Sequence, residues 1–109
     1  DTINNTEEFL SDLELLLQKN QQNLQIECKS KDLANCFEEL IIKSYEKYQK
    51  KVVILIDEYD KPILDVINNK ELALKHRDIL RRLYSKLKSN DEYIKFAFLT
   101  GISKFSKAS

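Results

Sequence analysis

The segment Val52-Val53-Ile54-Leu55-Ile56-Asp57-Glu58-Tyr59-Asp60 sets five apolar residues directly against a carboxylate cluster. A short, continuous apolar run bounded by charge reads as a strand buried on both faces, as in a parallel sheet. Ligands of open α/β sheets bind just outside the carboxyl ends of such strands. Asp57 and Glu58 therefore stand where a nucleotide–metal site would lie. The alternative is an ordinary strand end, where acids simply meet solvent. A second apolar run, Phe96-Ala97-Phe98-Leu99, ends in Thr100-Gly101. The Thr100 hydroxyl can donate to a phosphate oxygen or to water. Otherwise Thr100 caps the strand and Gly101 supplies a turn with positive φ. Asp60 has two readings as well: an acid that orients Asp57 or a metal-bound water, or the favoured one, the cap of a helix starting at Lys61-Pro62. Lys104 could reach a phosphate as a point charge, or be a solvated surface lysine.

The elements that must position these groups follow from periodicity. Residues 6 to about 20 place Phe9, Leu10, Leu13, Leu16 and Leu17 at helical spacing, with Asn5 or Thr6 as the cap. The amide-rich stretch 18–25 reads as a loop or frayed end. Ser30 can cap a second helix with Leu33, Phe37, Leu40, Ile41 and Tyr45 along one face, ending at Lys50-Lys51. The strand 52–56 comes next. Pro62 suits the first turn of a short helix from Lys61 to about Val66, broken at Asn68-Asn69. A long helix over 71–88 has Ile79, Leu80, Leu83, Tyr84 and Leu87 inward, and a second strand covers 94–99. The expected fold is α/β: parallel strands 52–56 and 94–99 joined by a right-handed crossover helix and preceded by two helices. That topology brings Thr100 beside Asp57. Both strands, being continuously apolar, should be covered on two faces, and at least one sheet edge should lie open to self-association.

An apolar strand ending in Asp-Glu resembles the Walker B element of P-loop nucleotidases. The stretch Leu55-Ile56-Asp57-Glu58-Tyr59-Asp60-Lys61-Pro62-Ile63-Leu64 resembles the signature of the bacterial AAA-ATPase-like family. A second block fits in the same order and at about the same spacing: Leu83-Tyr84-Ser85-Lys86-Leu87-Lys88, then 93–97, then Phe98-Leu99-Thr100-Gly101-Ile102-Ser103-Lys104-Phe105-Ser106. The resemblance covers residues 37–106 well, with 1–36 as a variable helical region. It implies a P-loop-type core and hydrolysis of ATP at the β–γ bond. Asp57 would hold Mg²⁺, with Asp60 at the nucleotide side; Glu58 would prepare the attacking water; Thr100 would sense the γ-phosphate. A PD-(D/E)xK nuclease domain or another partner would receive the conformational output. The only glycine is Gly101, so these residues contain no G-x-x-x-x-G-K-[ST] phosphate loop. In the family that loop lies upstream, so 1–109 reads as one partial domain, inactive by itself. The rival reading is a non-catalytic protein-binding or dimerisation platform.

Composition bounds the remaining choices. At 42% hydrophobic and 33% charged residues, the chain fits a globular domain rather than a disordered one. Lys plus Arg and Asp plus Glu balance at 18 each, so no global field draws it to nucleic acid or an anionic membrane. No apolar run approaches a membrane span. Lys75, His76, Arg77, Arg81, Arg82, Lys86 and Lys88 crowd one helix against Asp78. Such a face could meet nucleic-acid phosphates; a solvated amphipathic face is the favoured reading. Cys28 and Cys36, with a single histidine in the chain, lack zinc-ligand spacing. They read as two free thiols in a cytoplasmic protein.

Overall fold

The computed structural model describes residues 2–102, with side chains from Asn5 onward. Helix α1 spans Thr2–Leu24, α2 Leu33–Tyr48, strand β1 Val52–Ile56, α3 Lys61–Leu64, α4 Lys70–Ser89, and β2 Ile94–Leu99 after a 3₁₀ turn at Asp91–Tyr93. The architecture is α/β, with β1 and β2 forming a two-stranded parallel sheet. The connection through α3 and α4 is far too long for a hairpin, and parallel pairing is its outcome. Register runs Val53 to Phe96, Ile54 to Ala97, Leu55 to Phe98 and Ile56 to Leu99, with one irregularity between Val52 and Val53.

Several boundaries depart from the sequence expectations. Helix α1 does not fray at the amide-rich stretch. Asn20 and Gln21 donate side-chain N–H groups to the carbonyls of Leu16 and Leu17 and stay helical. Thr6 is inside the helix and caps nothing: its buried hydroxyl meets His76 Nε2 at 3.0 Å. His76 Nδ1 lies 2.8 Å from the Pro62 carbonyl, which can only accept, so Nδ1 carries the hydrogen. In the neutral ring Nε2 then accepts from Thr6. With its ring 4.8 Å from Phe9, His76 ties α1, the start of α3 and α4 together. It is a core residue rather than part of a cationic face. Helix α2 is capped by Asp32, whose carboxylate accepts from Asn35 N–H at 3.0 Å. Ser30 instead accepts from Asp32 N–H. Asn69 caps α4 through Leu72 N–H.

The core is built by Phe9, Ala34, Cys36, Leu40, Ile41, Ile54, Val66, Leu72, Leu80 and Leu83. It lies between the helices and the Ile54 side of β1; β2 adds no buried residue, and Ala97 and Leu99, the register partners of Ile54 and Ile56, are exposed as well. The other face is open, contrary to the two-sided burial expected. Val53 and Leu55 of β1 and their register partners Phe96 and Phe98 are exposed, Leu55 to 71%. Among the described residues no element crosses that face.

Cys28 and Cys36 are also not free thiols. They form a disulfide with Cα atoms 5.3 Å apart, within the usual range. The Asp32-capped first turn of α2 folds Cys36 back over the 25–32 connection, which brings the two together. Cross-helix ion pairs hold α2 to α4: Arg82 with Asp32 at 2.7 Å and Lys86 with Glu38 at 3.6 Å. Two of the lysines and arginines on α4 are thereby spent on acids of its neighbour.

Glu39 anchors the 25–32 connection. Its carboxylate accepts from Lys43 Nζ and from the backbone N–H groups of Lys29 and Ser30, each at 2.8 Å. The Lys43 hydrogen bond, and then the Lys29 N–H, lower its pKa from 4.5 to about 2. A depressed carboxylate pKa contributes stability that is complete above the unfolded value and lost as pH falls through the folded one. Melting temperature should therefore fall on acidification between pH 4.5 and about 2, and Glu39→Gln should flatten that limb. An unchanged acid limb in the variant would remove Glu39 as its cause.

Candidate functional site

The site is assembled at the carboxyl ends of β1 and β2. Parallel pairing continues past both strands because Thr100 bonds to each of four consecutive residues. Its N–H donates to the Ile56 carbonyl at 2.9 Å, and its carbonyl accepts from Tyr59 N–H at 2.8 Å. Its hydroxyl accepts from Glu58 N–H at 2.9 Å and donates to the Asp57 carboxylate. The strand end of β2 is thus locked against the acid turn of β1, and Asp57, Glu58 and Thr100 converge.

Asp57 and Glu58 are exposed, whereas Asp60 is only 7% exposed. Asp60 stands at the residue preceding α3, yet its side chain makes no capping hydrogen bond there. The favoured cap assignment fails because the carboxylate is turned the other way. It accepts from Ile102 N–H at 2.9 Å and so extends the clamp on the chain leaving β2. Gly101 does not adopt positive φ, so the turn read from its type is absent. What its lack of a side chain provides is room: a Cβ there would stand 3.2 Å from both Asp60 Oδ2 and Tyr59 Cε1. Lys61, next to the cluster, pairs with Asp65 at 2.9 Å instead of with the acids. Tyr59 meets Tyr84 edge-on at 6.4 Å. Burial, followed by the charges of Tyr59 and Asp60, pushes the Tyr84 phenol up to about 12. Lys104 lies outside the described residues.

Two features of the site carry no sequence signal. One is the Ile102 N–H as the partner of Asp60. The other is Glu58, which holds φ 52° in the left-handed region. That conformation costs about 1–2 kcal/mol for a residue with a Cβ. The bond from Glu58 N–H to Thr100 helps to hold it.

Hard oxygens stand at this end in the exposed Asp57 carboxylate and the Thr100 hydroxyl bonded to it, beside the exposed Glu58, which meets Thr100 through its backbone N–H. Among the described residues no group of three or more His, Cys, Asp or Glu gathers as a metal cage. A set of this kind suits Mg²⁺, which commonly takes one or two carboxylates and completes its octahedron with water and substrate phosphates.

The family model described as Predicted AAA-ATPase matches residues 1–109. The chain belongs to this family. A protein of Azotobacter chroococcum mcd 1, described as "Uncharacterized protein in vnfD 5'region", is similar at 47% identity over 94 residues. The match takes in 86% of this chain and 18% of that protein, so this member of the family spans about a fifth of the length of the curated relative. No solved structure matches the chain. No helix among the described residues is long and apolar enough to cross a membrane.

Proposed function

We propose that this chain is the Walker B portion of a P-loop-type ATPase, with Asp57, Glu58 and Thr100 at its nucleotide end. The observation that carries this reading is the Thr100 hydroxyl, which accepts from Glu58 N–H while donating to the Asp57 carboxylate at the carboxyl ends of two parallel strands. That is the place and polarity expected of a phosphate–metal site in an open α/β sheet. Bound Mg²⁺ would supply charge neutralisation on the β- and γ-phosphate oxygens of ATP. Asp57 would hold the ion, oriented by the Thr100 hydroxyl. Glu58 would orient or deprotonate the attacking water. To reach a γ-phosphate, Thr100 must redirect the hydrogen it now gives Asp57, which couples sensing of the phosphate to release of that carboxylate. Asp60 would act through structure, by fixing the exit of β2.

The test is magnesium-dependent release of phosphate from ATP by the whole protein and by its Asp57→Asn variant. The variant should lose turnover and the magnesium-dependent part of its nucleotide affinity, while binding in EDTA stays unchanged. Equal turnover and equal magnesium dependence in both would make residues 57–60 an ordinary strand end. The rival platform reading would then stand, supported by the open apolar face of Val53, Leu55, Phe96 and Phe98.

A further inference from the structure

We propose that Cys28 and Cys36 form a reversible thiol–disulfide exchange site, with Cys28 as the sulfur that reacts with small-molecule thiols and disulfides and Cys36 as its resolving partner. The proposal is independent of the nucleotide reading. It stands on the asymmetry of the pair. Cys28 lies on the irregular 25–32 connection and is half-buried, whereas Cys36 is 6% exposed and sits in the first turn of α2. A thiolate from solvent can therefore reach Cys28 but not Cys36. The leaving sulfur is well placed too. Cys36 is the fourth residue of α2, within the first turn, where the helix dipole favours a thiolate. The Gln21 side chain of α1 reinforces this: its Nε2 lies 3.7 Å from Cys36 Sγ, and its Oε1 accepts from Cys28 N–H at 2.9 Å. A thiol stabilised as its anion leaves faster.

The chemistry balances with a small-molecule disulfide, such as glutathione disulfide, as oxidant. The Cys28 thiolate attacks one sulfur of that disulfide, breaking its S–S bond and releasing one thiolate. The Cys36 thiolate then attacks Cys28 Sγ in the mixed disulfide, forming the protein bond and releasing the second thiolate. The two protein sulfurs lose two electrons, the small disulfide gains them, and the two thiol protons pass to the released thiolates. Excess small thiol runs the sequence backwards.

The bond staples the α1–α2 connection directly to the first turn of α2. Other ties at the end of α1, from Tyr48 Oη to the Leu24 carbonyl and from Lys47 Nζ to the Gln25 carbonyl, do not depend on it. Reduction should therefore loosen 25–32 without releasing α1, and leave the Asp57–Thr100 end untouched.

The whole protein is poised in glutathione disulfide or in dithiothreitol, then followed by peptide mass spectrometry after alkylation and by hydrogen exchange. Oxidation should leave both cysteines unalkylated, joined to each other, with no lasting glutathione adduct. Reduction should speed amide exchange across 25–32 by roughly tenfold or more, with no change at 52–60. Cys36→Ser should accumulate glutathione on Cys28, while Cys28→Ser leaves Cys36 unmodified. A lasting adduct on the wild type, modification of Cys36 in the Cys28→Ser variant, or equal exchange in the two redox states would each overturn the proposal. The wild-type exchange comparison decides should either variant fail to fold.

Discussion

Glu58→Gln in the whole protein is expected to cut ATP turnover by about 10²–10⁴-fold, the usual contribution of a positioned acid–base group, with nucleotide binding largely intact. The substitution separates chemistry from geometry. Gln keeps the length of the side chain, and the backbone N–H that Glu58 donates to Thr100 at 2.9 Å is unaffected. The left-handed φ of 52° is no harder for Gln than for Glu. The Asp57–Thr100 bond should therefore survive, and the loss reads the carboxylate alone. Turnover should fall with KM for ATP nearly unchanged, the pattern of an interaction made only in the transition state. Wild-type turnover in this variant would leave Glu58 as a strained turn residue with no chemical role.

Ile41→Ala should lower the stability of the fold by about 2–5 kcal/mol. Ile41 is 1% exposed on α2, the helix that packs against α1, α4 and β1. Truncating it removes buried methyl groups and leaves a cavity that three elements must close around together, so little relaxation is available. For a domain of this size each kcal/mol lowers Tm by roughly 4–8 °C. Leu55→Ala is the matched control. Leu55 is equally apolar but 71% exposed, and its loss should change stability by less than about 0.5 kcal/mol. Chemical denaturation of the two variants beside the parent decides the matter. Equal costs at the two positions would contradict a core centred on α2 with Leu55 left outside it.

Strand β1 was legible to the residue because five apolar side chains run unbroken into charge, and α4 to within a residue at each end, 71–88 against Lys70–Ser89, from the helical spacing of Ile79, Leu80, Leu83, Tyr84 and Leu87. The long connection between the strands made parallel pairing legible as well, and with it the approach of Thr100 to Asp57. Elsewhere local rules named the wrong partner. Thr6 looks like a helix cap by type, but a hydroxyl bonds whichever acceptor the fold supplies, and α4 supplies His76 seventy residues on. Asp60 occupies a capping position, yet its carboxylate turns to Ile102 N–H, which arrives only when β2 docks. The amides of 18–25 suit a loop by composition, but Asn20 and Gln21 close onto the helix that carries them.

The sequence by itself determined the α/β class, the two strands, the crossover and the acid cluster at the strand end, together with the family. These follow from side-chain period and apolar run length, which are properties of neighbours along the chain. Tertiary structure alone decided that Thr100 bonds to four consecutive residues, that Glu58 is left-handed, that Gly101 makes room for Asp60 and Tyr59, and that Cys28 and Cys36 join. It also decided which face of the sheet stays open. Each of these is a contact or a conformation set by groups that meet only after folding, and no local pattern of residue types records which donor will arrive at which acceptor.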